Sequence, residues 1–107
     1  MMHAEIRTAL QTLNVPVTFH LYEGSDDTYI TYVQYDESGQ MMADDEEKST
    51  NLYFQINVFS KSDYLSLVKD VKEKMKELGA IRRSETDLFA DGYYQRSIRF
   101  RFTQYNE

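Results

Sequence analysis

Between Asn51 and Gly79 the apolar positions change period once. In NLYFQINVF, Leu52, Phe54, Ile56 and Val58 fall on one side and Tyr53, Gln55, Asn57 and Phe59 on the other, the alternation of a strand with one buried face. Beyond it Tyr64, Val68, Val71, Met75 and Leu78 recur at helical spacing, with Leu65 and Leu67 widening the stripe, which predicts an amphipathic helix over 61–78. Ser60-Lys61-Ser62-Asp63 joins the two with the hydroxyl and carboxylate spacing of a capping box; Ser60 is the expected N-cap, with Phe59 packing on Tyr64 across the helix start. Gly79 is the expected left-handed cap. Lys69, Lys72, Lys74 and Lys76, mixed with Asp70, Glu73 and Glu77, form the helix's solvated outer side.

The same reading extends to the rest of the chain. HAEIRTALQTL puts Ile6, Ala9, Leu10 and Leu13 on one stripe of a short helix that Asn14 and Pro16 end. Val17 to Tyr22 alternates as a strand, Glu23 to Asp27 is a turn, and TYITYVQY is a strand rich enough in β-branched and aromatic residues to be covered on both faces. Residues 36–50 lose the period and hold six acids against one lysine, so a long loop or weak hairpin tip is expected there. Ala80 to Ser84 reads as a short strand, Glu85 to Gly92 as an acidic loop ending in an Asp91-Gly92 turn, and Tyr93 to Thr103 as the last strand. On that strand Arg96 shares the side of Tyr94, Ile98, Phe100 and Phe102. Such an arginine either lies at the sheet margin with a wet head or pairs with a buried acid; the margin is the favoured reading. The pattern as a whole predicts one α+β domain over 1–107, a mainly antiparallel sheet of four or five strands with two helices on one face.

Composition narrows the chemistry. At 107 residues with fifteen aromatics the chain can bury one core, and with no cysteine it has neither a disulfide framework nor a thiolate nucleophile or zinc site. No stretch approaches about eighteen apolar residues, and MMHAEIRTAL lacks the basic start and apolar run of a signal peptide; the expectation is a soluble, cytoplasmic protein without a membrane partner. The net charge of −6 is uneven: residues 1–51 hold ten acids and two bases, residues 52–107 eight acids and ten bases. A phosphate-neutralising surface does not fit a negative chain, whereas halves of opposite sign can attract each other between copies. His3 and His20 lack metal-ligand spacing, no serine lies in Gly-x-Ser-x-Gly, and the four glycines make no phosphate loop or dinucleotide fingerprint. Asp44-Asp45-Glu46-Glu47 lacks the spacing and glycine of a calcium loop. No enzymatic activity, cofactor or metal is expected. Met41-Met42 inside the acidic segment is the one apolar pair that asks for a partner surface.

The order helix, strand, acidic turn, Tyr29-Ile30-Thr31-Tyr32 strand, long polar segment, Gln55-Ile56-Asn57-Val58-Phe59 strand running into a serine-rich helix start, and terminal Tyr94-Gln95-Arg96-Ser97-Ile98 strand resembles the tail-terminator and tail-completion (tail-to-head joining) proteins of long-tailed bacteriophages and prophages. The resemblance covers nearly the whole chain. It implies a small α+β domain that assembles as a ring, commonly a hexamer, caps the tail tube and meets the head connector, first in the cytoplasm and then in the virion tail. On that reading Asp36, Glu37, Met41, Met42, Asp44, Asp45, Glu46 and Glu47 line a lumen through which DNA passes unbound, or touch the tube. Tyr53, Gln55, Asn57, Arg99 and Arg101 are the expected subunit-contact faces of the two long strands. The alternative is an acidic interaction or regulatory domain that binds a basic partner.

Overall fold

The computed structural model describes the backbone of residues 2–43 and 46–105, and the side chains of these outside 38–48. The elements run α1 (Met2–Gln11), β1 (Val17–Phe19), β2 (Thr28–Ala43), β3 (Glu46–Ser60), α2 (Leu65–Glu77), β4 (Ile81–Ala90) and β5 (Tyr93–Tyr105). The strands form one sheet in the order β1-β2-β3-β5-β4, parallel between β1 and β2 and antiparallel elsewhere. This is an α+β fold. Among the described residues no helix is long and apolar enough to cross a membrane.

β3 lies at the centre, and its alternation sets the core. Leu52, Phe54, Ile56 and Val58 are buried, with Phe54, Ile56 and Val58 fully so. Register carries the same face across the sheet: Ile30 and Tyr32 stand opposite Val58 and Ile56 on one side, and Ile98, Phe100 and Phe102 opposite Ile56, Phe54 and Leu52 on the other. α1 contributes Ile6 and Leu10 to this core, and its His3 ring packs against Phe19, Tyr32 and Phe54 while bonding Gln34 Oε1 at 3.1 Å. α2 contributes Val68, Val71 and Met75. Its C-terminus is a full Schellman motif: Ala80 N–H donates to Met75 O at 3.0 Å and Gly79 N–H to Lys76 O at 2.9 Å, with Gly79 at φ +90°.

Several sequence expectations are corrected here. β1 stops at Phe19, not Tyr22, because His20 adopts φ +69° and turns the chain back toward β2. Of the two readings of 36–50, long loop or weak hairpin tip, the structure gives the hairpin, strand on both sides as far as the pair Ala43↔Glu46. Asp44 and Asp45 lie outside the described residues. The acidic loop expected over Glu85–Ala90 is the second half of β4, joined to β5 by the two-residue turn Asp91-Gly92, both at positive φ (54° and 82°), the geometry of a type I′ hairpin turn. α2 starts at Leu65, not Lys61. Ser60 remains in β3, where its Oγ meets Thr28 Oγ1 at 3.0 Å, and the helix start is served by Asp63, whose Oδ1 accepts from Leu65 N–H at 3.0 Å. Phe59 stacks on Tyr29 with ring centroids 4.6 Å apart, because the alternation that buries Val58 carries Phe59 to the other side of the sheet.

The molecule is drawn out along its strands, with extents of 52 × 24 × 23 Å and a radius of gyration of 15.0 Å, against about 13 Å for a compact domain of this length. Two substitutions test the frame. Phe54→Ala removes a fully buried ring at the centre of the sheet and is expected to cost about 3–5 kcal/mol. Gly79→Ala forces a side chain into left-handed backbone with open space around it and is expected to cost about 1 kcal/mol; denaturant melts measure both.

Candidate functional site

The residues singled out on the long strands come together on the sheet face opposite Phe54 and Ile56. Tyr53 pairs with Arg101, Gln55 with Arg99, and Asn57 with Ser97 on one side and Thr31 on the other. Their side chains form a polar ladder. Asn57, 8 % exposed, donates through Nδ2 to Thr31 Oγ1 at 3.1 Å, and its Oδ1 accepts from Ser97 Oγ at 2.7 Å, Gln55 Nε2 at 2.9 Å and Gln95 Nε2 at 3.2 Å. Arg99 Nε donates to Gln55 Oε1 at 3.2 Å. Cross-strand bonding of this kind satisfies amides that the sheet half buries and holds the face flat and ordered.

Toward the β2–β3 hairpin the ladder opens into a hollow of about 330 Å³ lined by Tyr35, Asp36, Tyr53, Arg83, Ser84 and Arg99. Two β-bulges build it. One, between Gln34 and Asp36 in β2, sets Tyr35 and Asp36 together beside Tyr53; the other, between Arg82 and Ser84 in β4, turns Arg83 toward the same place. Arg99 lies over the Tyr35 ring at 4.7 Å and Arg83 over the Tyr53 ring at 5.1 Å, while the two tyrosine rings are 5.9 Å apart. Ring faces attract the guanidinium planes without neutralising them. Arg101, beside Tyr53, has a buried Nε with no hydrogen-bond partner. Among the described residues none of Arg83, Arg99 and Arg101 is in an ion pair. The sequence reading missed Tyr35 and Arg83, which only the two register shifts bring to this face.

Asp36 and Glu37 are exposed, and Asp36 Oδ1 accepts from Glu37 N–H at 2.8 Å. Register sends Asp36 to the Tyr53 side and Glu37 to the Leu52 side, so the strand's alternation separates these two acids. Asp44 and Asp45, and the side chains of Met41, Met42, Glu46 and Glu47, lie outside the described residues. Among the described residues no three His, Asp or Glu side chains gather as a metal centre.

Across the sheet, on the α2 side, a second cluster corrects the reading of Arg96. Its guanidinium pairs with both Glu85 and Asp87 of β4 and is only 17 % exposed. Glu85 is bonded by Lys72 and Arg82 as well, and Tyr64 OH donates to Asp87 Oδ1 at 2.8 Å. Burial raises the Glu85 carboxyl, but the bonds from Lys72, Arg96 and Arg82 outweigh it and hold the group down at about 2. The Arg96 bonds, with help from Tyr64, also lower Asp87, and the two acids in turn raise Arg96. These six side chains fasten α2 to the β4–β5 hairpin. An arginine on an apolar stripe is accommodated because the neighbouring strand turns two carboxylates inward.

The chain matches no protein-family model and no curated protein sequence.

The Glu85 network makes a signed pH prediction. Because its folded-state carboxyl lies below the ordinary value of 4.5, its contribution is complete above about pH 4.5 and drains away as the pH falls toward 2. Glu85→Gln is expected to lower stability at pH 7 and to flatten the loss between pH 4.5 and 2; melts of both proteins across that range measure it. Arg96→Met, which leaves both carboxylates short of a partner, is expected to cost about 1–3 kcal/mol at neutral pH.

Proposed function

We propose that this chain is a structural, non-enzymatic component of a phage or prophage tail, completing the tail tube and joining it to the head connector as a member of a ring of identical copies. The observation that carries the reading is the division of the sheet. One face holds the apolar core, whereas the other is an ordered polar and arginine-bearing strand surface whose hydrogen bonds run between strand residues. A face of this kind suits a strand-rich contact with another molecule. A ring requires heterologous contacts, one patch meeting a different patch on the neighbour, and the chain supplies two unlike ends: the arginine-bearing face and the acid-rich β2–β3 hairpin.

The element order, with a central strand leading into an amphipathic helix and a closing Tyr-Tyr-Gln-Arg-Ser-Ile strand, supports the same assignment through the resemblance described above. In a ring, hairpins rich in Asp and Glu repel passing DNA phosphates and keep the strand from sticking to the wall.

Replacing Asp44, Asp45, Glu46 and Glu47 together by serine tests the assignment. Circular dichroism and melting are expected to stay close to the parent, because the core and the Glu85–Arg96 ion cluster are built from other residues. Tail-to-head joining, counted by electron microscopy of particles from a lysogen carrying the variant, is expected to fall. Normal particle yield and infectivity would remove the hairpin from the account. An oligomer confined to a basic protein partner, with no effect on particles, would favour an acidic adaptor instead.

A further inference from the structure

We infer that the hollow formed by Tyr35, Tyr53, Arg83 and Arg99 is a carboxylate receptor, and that its ligand is the acidic end of the β2–β3 hairpin of a second copy of this chain. The inference rests on the ring-forming reading and names the contact that reading leaves open.

The receptor side is built. Two separate bulges, one in β2 and one in β4, converge on the same level of the sheet and add Tyr35 and Arg83 to side chains that the regular register already places there. Bulges interrupt backbone pairing and persist where they aim a side chain usefully. The guanidiniums they help gather are held by ring faces and by one amide rather than by acids: Arg83 on Tyr53, Arg99 on Tyr35 and on Gln55 Oε1. The contrast lies within the same strands. Arg82 and Arg96, on the α2 side, are each paired with carboxylates of β4, while Arg83, Arg99 and Arg101, on the other side, are in no ion pair among the described residues. Arg101 has in addition a buried Nε without a hydrogen-bond partner. Asp36, in the lining with Arg83 and Arg99, offsets one of the two positive charges and leaves the hollow net positive. Planar guanidiniums at a concave, partly dry surface select planar carboxylates, which accept two parallel hydrogen bonds from each fork.

The ligand side is given by the chain itself. Four consecutive acids, Asp44 to Glu47, fall where β2 ends at Ala43 and β3 begins at Glu46. The protein as a whole is negative, which disfavours a nucleic-acid phosphate as the occupant. The same copy cannot fill its own receptor. Glu46 and Tyr53 belong to one strand, and the seven steps from one to the other span about 23 Å at about 3.3 Å each. A separation of that size exceeds the screening length of about 8 Å at physiological salt, so the two charged regions act independently within one copy. Only a neighbour can bring them together; made one way, each hairpin entering the next copy's receptor, the contact is heterologous and propagates around the ring of the reading above.

The test is a charge exchange read by sedimentation velocity and mass photometry across protein concentration and salt. The parent is expected to associate, and more weakly as salt rises. Reversing the receptor with Arg83→Glu and Arg99→Glu, or the hairpin with Lys at 44, 45, 46 and 47, is expected to weaken association about tenfold or more in each case. Both reversals in one chain are expected to restore it. Should the receptor reversal unfold the protein, Arg83→Gln with Arg99→Gln removes charge without adding any, and is expected to show the same loss. A parent that associates equally well in every variant overturns this inference and leaves the ring-forming reading standing. A parent that stays single at low salt and high concentration also overturns it, and the particle count with the serine variant then decides the tail assignment alone.

Discussion

The alternation of β3 is the constraint on which the rest of the structure depends. Paired on both sides, to β2 and to β5, it admits no slip of a single residue, because a slip would carry Phe54, Ile56 and Val58 out of the core and bring Gln55 and Asn57 into it. Each face then recruits its own neighbours. The apolar side fixes where Ile6, Leu10, Val71 and Met75 of the helices come to rest, and the polar side gathers Thr31, Gln95, Ser97 and Arg99 around a single amide oxygen and its near neighbours. What the protein keeps and what it offers outward are thus two readings of one register.

Electrostatics follows the same division. On the α2 side Arg82 and Arg96 each have a carboxylate, and the cluster of Glu85, Asp87, Arg96, Lys72, Arg82 and Tyr64 docks a helix to an edge hairpin. On the other side the cations rest on aromatic rings and keep their charge available.

Much of this frame was legible in the residues. Strict alternation in β3, the stripe of α1, the Gly79 cap and the Asp91-Gly92 turn are local signals, and each holds in the structure. What escaped was written in pairings between distant strands. β4 beyond Ser84 looked like an acidic loop because its inward residues are Glu85 and Asp87, whose partners Arg96 and Lys72 come from β5 and α2. The start of α2 was placed too early because Ser60 stays in the sheet, where its Oγ meets Thr28 and accepts from Ser62 N–H, and Asp63 serves the first helical N–H instead. The site divides in the same way: period two brings Tyr53, Gln55, Asn57, Arg99 and Arg101 to one face, but no local pattern announces the bulges that add Tyr35 and Arg83.

The drawn-out shape has a hydrodynamic consequence. At 52 Å by about half that width, a free copy drags more solvent than a sphere of its 12.7 kDa mass. On a gel-filtration column it elutes ahead of its true size and imitates a heavier particle. Mass, rather than elution volume, is what distinguishes one long copy from two short ones.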